Sequence, residues 1–411
     1  MKVAVLTLGC RVNQSESSVI KGSLEENGIT IVDLKEMPDV CIVNTCTVTA
    51  KSDYTSRQLI RKAAKTGAKV IVTGCYSQLQ KDEVKSISGA IELVDNAQKV
   101  EIVNLITGKE NNLVFSRFSR SRPHLKVQDG CNFKCSYCSV PLARGRSKSV
   151  PIDDVIERVQ AIDAAGYNEV VLTGIHLGSY GKDLEDKLSL KQLIKCVLKY
   201  SQIKRIRLSS LEINEIDDEL IELLKDVRIC KHLHLPLQSG SDKILKLMRR
   251  NYTLFEFSSK IHKLLSKVDN ISIGSDVIVG FPGEGDEEFM HTHNFLKSFP
   301  FSYLHVFPFS ARPNTEASSM KKDRVRTSSI KNRLDILIRL SEEKKRTYLR
   351  KQCDAVLDVI IEEKNSEGHA AGTSGNYIKV LTPSGNASKR SVVLVRITRA
   401  SDDFIEGLIV P

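Results

Sequence analysis

Three cysteines, Cys131, Cys135 and Cys138, stand in the spacing Cys-x3-Cys-x2-Cys, with an aromatic residue, Tyr137, just before the last. Three thiolates can hold three irons of a cubane iron–sulfur cluster and leave the fourth iron without a protein ligand. An ordinary electron-transfer cluster is closed by four thiolates. A triplet with no near fourth cysteine instead offers an iron at which a substrate or cofactor can bind. A zinc site would need a second ligand pair close by, and the nearest downstream candidates, His176 and Cys196, are distant and unpaired. A disulfide framework does not suit the chain either. Its 411 residues are enough for two or three domains with cores of their own, and its ten cysteines are scattered rather than packed into a small scaffold.

Three further cysteines follow β-like runs. Val3–Leu8 leads into Gly9-Cys10, Val40–Val43 into Asn44-Thr45-Cys46, and Lys69–Thr73 into Gly74-Cys75, with helical patterns over Ser15–Asn27 and Ser52–Thr66 between them. Strands alternating with helices imply parallel crossovers in an open sheet, and the carboxyl ends of such strands share the edge where ligands bind. Cys10, Cys46 and Cys75 are therefore expected to converge and to suit a second three-thiolate cluster. Cys41 lies inside its strand. It is read as core, as are Cys196, Cys230 and Cys353, because free cysteine behaves as a small buried hydrophobe.

The elements that must position the first triplet continue the α/β alternation. Strands are predicted at Pro123–Gln128, Glu169–Thr173, Arg205–Ser209, Cys230–Leu235, Ile271–Val279 and Tyr303–Phe307, with helices such as Ile152–Ala165, Leu188–Tyr200 and Glu215–Asp226 between them. Six such strands suit a partial (β/α)6 barrel, whose chemistry sits at the carboxyl ends of the strands. The segments that follow them are polar or glycine-rich: Asp129-Gly130-Cys131, Gly174-Ile175-His176, Ser210-Leu211-Glu212, Gln238-Ser239-Gly240 and Gly280-Phe281-Pro282-Gly283. A long basic helix is predicted over Lys321–Lys351. Beyond it the pattern becomes β, at Ala355–Ile361, Tyr377–Leu381, Ser391–Ile397 and Phe404–Val410, which reads as a small β-barrel; such barrels frequently bind nucleic acids.

The net charge of +11 is concentrated. Arg117–Lys148 carries eight basic residues against Asp129 alone, and Lys321–Lys351 twelve against four acids, so these two stretches exceed the whole excess. Clusters flanking a candidate active site point to a polyanion, most simply nucleic acid; solvated charged faces are the competing reading of either cluster alone. The first residues, MKVAVLTLGC, show no basic leader or cleavage-like site, and no stretch approaches the roughly 18–20 apolar residues of a membrane span. A cytoplasmic protein with no membrane partner is expected.

The run QDGCNFKCSYCSVPLARGRSKS, from Gln128 to Ser149, resembles the signature of radical S-adenosylmethionine methylthiotransferases, and the three strand-end cysteines resemble their N-terminal domain. The terminal barrel resembles the RNA-binding TRAM module. The resemblance covers essentially the whole chain and implies three domains: 1–115 with the auxiliary cluster, 116–345 as the radical domain and 346–411 as the TRAM-like barrel. Gly9-Cys10-Arg11-Val12-Asn13-Gln14 is most similar to the branch acting at C2 of N6-threonylcarbamoyladenosine at position 37 of tRNA. Ser139 and Leu142 depart from the usual isoleucine and tyrosine of the signature, which touches the substrate loop rather than the thiolates.

That family implies two [4Fe-4S] clusters. One, on Cys131, Cys135 and Cys138, chelates S-adenosylmethionine and cleaves it to a 5'-deoxyadenosyl radical; the other, on Cys10, Cys46 and Cys75, presents sulfur, and a second S-adenosylmethionine gives the methyl group. Beside them, Tyr137 is expected against the cofactor's adenine or packed near the cluster, and Gly174, His176, Ser210, Glu212, Gln238 and Ser239 around the cofactor. Arg144, Arg146 and Lys148 are expected to meet RNA phosphates, which set position and salt dependence rather than sequence. The implied partners are the tRNA anticodon loop and a reductant such as a flavodoxin or ferredoxin. The sulfur source is not legible. The alternatives are methylthiolation of isopentenyladenosine in tRNA or of a ribosomal-protein aspartate, and, from another class, a non-catalytic iron–sulfur RNA-binding protein.

Overall fold

The computed structural model describes every residue except 88–90, 111, 112, 116, 366 and 367; the boundary expected at 115/116 falls on one of these. Strands β1 (Lys2–Thr7), β2 (Thr30–Ile31), β3 (Val40–Thr45), β4 (Lys69–Gly74) and β5 (Ile91–Leu93) form a parallel sheet in the order β2-β1-β3-β4-β5. Val3, Val5, Ile42 and Ile71 pack on one face with Ile20 and Leu24 of helix α1 (Arg11–Glu26). Ala4, Cys41, Val43, Val70 and Val72 pack on the other with Ile60 and Ala63 of α2 (Ala50–Ala64). Strand side chains alternate between faces, so a sheet covered on both sides needs apolar residues at nearly every position. The strand order reverses between β1 and β3, the crevice where doubly wound sheets bind ligands.

The central strands are β6 (His124–Lys126), β9 (Glu169–Thr173), β10 (Arg205–Leu208), β11 (His232–His234), β12 (Ser272–Val279) and β13 (Tyr303–Pro308). They form two parallel three-stranded sheets, β10-β9-β6 and β11-β12-β13, joined by a bridge between Ile206 and Ile229. The result is an open six-strand barrel whose Leu172, Leu208, Leu235 and Val277 share one core with Val159, Leu193 and Phe257 of the surrounding helices. The run expected as Pro123–Gln128 stops at Lys126. Gln128 begins β7 (Gln128–Asp129), which pairs antiparallel with β8 (Lys148–Ser149) and closes the neck of the loop that carries Cys131, Cys135 and Cys138.

The long basic helix spans Thr327–Arg350. It starts later than its charge pattern suggests because the Asp323 carbonyl accepts from the Gly283 amide instead of from a helical turn. Strands β14 (Val356–Lys364), β15 (His369–Ser374), β16 (Lys379–Pro383), β17 (Val392–Ala400) and β18 (Ile405–Val410) then close a barrel in the order β14-β15-β16-β18-β17. β15, with the sequence HAAGTS, is absent from the sequence-based expectation: small and polar residues give it little β propensity, and its pairing with β14 and β16 supplies what propensity does not.

Cys41 and Cys230 are buried, but Cys353 is exposed and Cys196 only partly buried, which corrects the expectation for those two. Cys353 sits in the turn before β14, and Cys196 lies off the Leu190, Leu193, Ile194 and Val197 stripe that buries its helix. No helix among the described residues is long and apolar enough to cross a membrane.

The terminal barrel docks onto the central one through buried arginines. Arg207 donates to the carbonyls of Ser374 and Gly375 at 2.9 and 3.1 Å, and Arg205 to those of Asp358 and Thr373. Both pair with Glu169 at 2.8 Å. Burial alone would raise the Glu169 pKa, but the two guanidiniums outweigh it and hold the carboxyl at about 2.

Candidate active site

Cys10, Cys46 and Cys75 lie at the carboxyl ends of three adjacent strands, β1, β3 and β4, and each thiol is within electrostatic reach of the other two. Glycine makes this approach possible. Gly9 has φ +103°, and a Cβ there would stand 2.8 Å from Cys46 Cβ and 3.0 Å from its sulfur; Gly74 has φ +105°, and its Cβ would strike the Thr45 backbone at 2.3 Å. Asn13 ties the loops together, donating to the Leu8 carbonyl at 2.8 Å and the Thr45 carbonyl at 2.9 Å. Ser56 holds Cys46 by accepting from its amide and donating to its carbonyl. Cys10 also stands at the N-cap position of α1; the helix dipole there favours a thiolate, but burial outweighs it and raises the thiol's pKa.

Cys131, Cys135 and Cys138 gather in the loop beyond β7, again within mutual electrostatic reach. Arg250 donates to Cys135 Sγ at 3.5 Å and pairs with Glu212. His176 Nδ1 lies 3.9 Å from Cys131 Sγ, and its Nε2 2.5 Å from Glu215. Burial would lower the His176 pKa, but the bonds to Cys131 and Glu215 prevail and raise it to about 9. Gln128, fully buried, donates to the carbonyls of Asp129 and Gly130 at 2.7 and 2.8 Å and to Ser147 Oγ, and accepts from the His176 amide.

The donor chemistry of both triplets fits clusters. Burial pushes the Cys46 thiol up to about 11 and Cys138 up to about 12, so these groups are protonated at neutral pH until metal takes the proton's place. In a cubane each thiolate binds a different iron, so three ligands spread wider than around a single ion. Among the described residues the one group whose donor atoms crowd to single-ion distance is His234, Asp276 and His305, on β11, β12 and β13. Asp276 there accepts from His234 Nε2 at 2.9 Å and from His305 Nδ1 at 3.3 Å.

Arg144 joins the two triplets. It ends the short helix Val140–Arg144 that follows Cys138, yet its Nε donates to Cys75 Sγ at 3.2 Å and its Nη2 to Asn13 Oδ1 at 2.5 Å. Its Nη1 pairs with Asp129 at 2.8 Å and Glu16 at 3.1 Å. Glu16, on α1, also binds Lys99 at 2.5 Å and Lys126 at 2.8 Å. Three cations against two carboxylates thus knit the N-terminal sheet to the loop of Cys131. Burial would raise the Glu16 pKa, but Lys99, Lys126 and Arg144 hold it well below the usual carboxylate range. With its side chain 1% exposed, Arg144 does not reach an RNA phosphate, which corrects the sequence-based expectation. Arg146 and Lys148 are exposed.

The other expected contacts divide. Tyr137 packs with Ile244, Met248, Phe281 and Ala317. Ser239 is buried against Thr292 and the Ser241 amide, so its hydroxyl serves the loop rather than a cofactor. Gly174 gives room to Gln128, whose Oε1 would stand 2.8 Å from a Cβ there. Gln238 takes a φ of +70° while its amide bonds the Asp276 carbonyl. Ser210 is exposed and Glu212 is held by Arg250. From sequence, Gln128 and Asn13 stand only within the quoted motifs, with no role given, and Glu16 and Arg250 are not named. The signal available was their polarity beside each cysteine motif, but burial and partners come only from the fold. In the basic helix, Arg333 is likewise committed, to Glu284 and Asp286.

An open parallel barrel with a three-cysteine loop after its first strand defines the radical S-adenosylmethionine class. Residues 125–296 match the Radical SAM superfamily, which brings S-adenosylmethionine and a [4Fe-4S] cluster as cofactors, and residues 2–95 match the uncharacterized protein family UPF0004. The chain is 38% identical to the threonylcarbamoyladenosine tRNA methylthiotransferase MtaB of Bacillus subtilis, over 98% of this chain and 95% of that protein. It is 38% identical to the protein of the same name from Aquifex aeolicus, over 89% and 94%. With a tRNA-2-methylthio-N(6)-dimethylallyladenosine synthase of Pseudothermotoga lettingae it shares 33%, over 99% and 98%. The chain belongs to the radical S-adenosylmethionine methylthiotransferase family, on its threonylcarbamoyladenosine branch. Among solved structures, the radical S-adenosylmethionine methyltransferase TsrM of Kitasatospora setae shares the fold, with a TM-score of 0.57 at 14% identity over 77% of this chain and 73% of that one.

Proposed function

We propose that this chain replaces the C2 hydrogen of N6-threonylcarbamoyladenosine at position 37 of tRNA, beside the anticodon, with a methylthio group. The observation that carries the reading is the joining of two separate three-thiol sets through Arg144, in a chain similar over its full length to transferases named for this reaction. An unactivated aromatic C–H bond yields to no side-chain acid or base at neutral pH. When bound, the cofactors supply the reducing electron, the carbon radical and the methyl group that this replacement demands.

Cys131, Cys135 and Cys138 would hold one [4Fe-4S] cluster, and Cys10, Cys46 and Cys75 a second, sulfur-bearing one. The chain's own groups orient and balance these sites. Arg250 and His176 set positive charge beside Cys135 and Cys131, and Glu212 and Glu215 fix their directions. Gln128 pins the loop carbonyls, so the three thiols keep their spacing. Ser210, Glu212 and Gln238 remain the polar groups for S-adenosylmethionine. Arg146 and Lys148 meet phosphates of the anticodon loop, and the terminal barrel extends that surface. The division into 1–115, 116–345 and 346–411 assigns one role to each part. A flavodoxin or ferredoxin supplies the electrons.

The test uses the cluster-reconstituted, anaerobically reduced protein with S-adenosylmethionine, a sulfide source and tRNA bearing threonylcarbamoyladenosine. Nucleoside mass spectrometry is expected to show its 2-methylthio form together with 5'-deoxyadenosine. If 5'-deoxyadenosine forms but, in a parallel reaction, only tRNA bearing dimethylallyladenosine is modified, the assignment of the base is wrong.

A further inference from the structure

Six arginines around the central barrel and its domain contacts are each paired with a carboxylate: Arg122 with Glu362, Arg144 with Asp129, Arg205 and Arg207 sharing Glu169, Arg250 with Glu212 and Arg312 with Asp53. Arg11 has no such carboxylate; Arg228 and Arg390 lack one too, but Arg228 is satisfied by the carbonyls of Leu198, Ser201 and Ile203, and Arg390 lies 3.9 Å over the Tyr167 ring. Arg11 is half-buried, and no ion pair to it is found among the described residues. Its Nη2 instead lies 3.2 Å from Tyr377 Oη, and its guanidinium stands 5.6 Å from the centre of that ring.

The surroundings of Arg11 concentrate positive charge. Arg207 and Arg122 stand 5.3 and 5.9 Å from the same tyrosine ring. The other groups facing Tyr377 are His232, stacked at 4.3 Å, and Tyr303 at 6.1 Å. Tyr377, Tyr303 and His305 also line a neighbouring cavity of about 450 Å³, which Arg11 itself does not line, and His305 leads along the same face of β13 to Phe307, 40% exposed. An unpaired cation among aromatic rings is a place for an anion carried on a planar group. Arg11 is also the residue after Cys10, so its Cα lies about 3.8 Å from that of an auxiliary thiol.

The substrate of the proposed reaction carries such an anion. A threonylcarbamoyl group on N6 ends in a carboxylate, several bonds from the C2 that must lie between the two triplets. A dimethylallyl group at the same nitrogen is apolar. We propose that Arg11 selects the threonylcarbamoyl substituent, its guanidinium pairing with the threonyl carboxylate in place of a protein acid. This rests on the function proposed above. A site built around an unpaired charge rejects the analogue that lacks the partner, because the charge is then left desolvated and alone.

The experiment compares two anticodon stem-loops, one with threonylcarbamoyladenosine and one in which the threonyl carboxylate is a carboxamide, on the reconstituted wild type, Arg11→Gln and Arg11→Lys. Wild type is expected to lose about tenfold or more in kcat/KM on the carboxamide. R11Q is expected to treat the two RNAs alike, and R11K to keep the preference for the carboxylate. The proposal is overturned if wild type does not distinguish the RNAs. It is equally overturned if R11Q loses the same factor on both, the behaviour of a phosphate contact. If R11Q fails to fold, the wild-type comparison can still overturn the proposal, and a weaker preference in R11K than in wild type supports it. Wild type that modifies neither RNA, but does modify one bearing dimethylallyladenosine, would show instead that the functional reading itself is wrong.

Discussion

Arg144 Nε donates to Cys75 Sγ at 3.2 Å across the seam between the N-terminal sheet and the central barrel. The same guanidinium holds Glu16 and Asp129, so one side chain bridges the two cysteine triplets and shares those two carboxylates with Lys99 and Lys126.

Arg144→Lys keeps the charge but not the fork that serves sulfur, amide and carboxylates together. We expect R144K to form 5'-deoxyadenosine but to lose methylthiolated product by about tenfold or more, since small misplacements of reacting groups are costly. Liquid chromatography of both products in one reaction measures the split; equal loss of both would place Arg144 outside the coupling.

Glu16→Gln leaves Lys99, Lys126 and Arg144 short of their shared anion. Breaking a buried ion network from one side costs about 3–5 kcal/mol, and a comparable loss is expected in urea unfolding of the cluster-loaded protein. A loss below about 1 kcal/mol would mean that the network behaves like an exposed pair.

Glu169 has a pKa depressed to about 2 between Arg205 and Arg207. A depressed carboxylate adds stability above its unfolded pKa and loses it as pH falls toward the folded value. The docking of the terminal barrel should therefore weaken on acidification below about pH 4.5, by up to about 3 kcal/mol at the acid end. The stability difference between wild type and E169Q is expected to shrink over that range, and a difference independent of pH would contradict the role of the charge.

Cys10→Ala should reduce bound iron to about one cubane while S-adenosylmethionine cleavage continues, because the triplets are separate in sequence and in space. Iron analysis and 5'-deoxyadenosine release read the two effects; loss of both would indicate one shared cluster.

Arg146 and Lys148 are exposed where Arg144 is not. Replacing both by alanine should flatten the slope of log Kobs against log salt for tRNA by about 1.5, near 0.7–0.9 for each lost phosphate contact. An unchanged slope would remove these two from the RNA surface.

The positions of Cys10, Cys46 and Cys75 were legible because strand-then-glycine or strand-then-polar patterns fix where a sheet ends, and both faces of that sheet are covered. The six central strands were legible for the same reason. Arg144 was misread because sequence shows a cation in a basic run, while its burial comes from Glu16, 128 positions away. β15 was missed because HAAGTS has little preference of its own and is held by its neighbours. Cys353 shows the converse limit: an apolar residue type does not bury itself when the turn that carries it lies outside a core.

The chemistry takes place at one base of the tRNA. It is tested most directly by nucleoside mass spectrometry of tRNA from a strain lacking this chain and from the same strain with the wild type or C131A restored. In the deletion strain 2-methylthio-threonylcarbamoyladenosine is expected to disappear while threonylcarbamoyladenosine persists, and wild type but not C131A is expected to restore it. An unchanged level of the methylthio form in the deletion strain would mean that this chain does not modify that base.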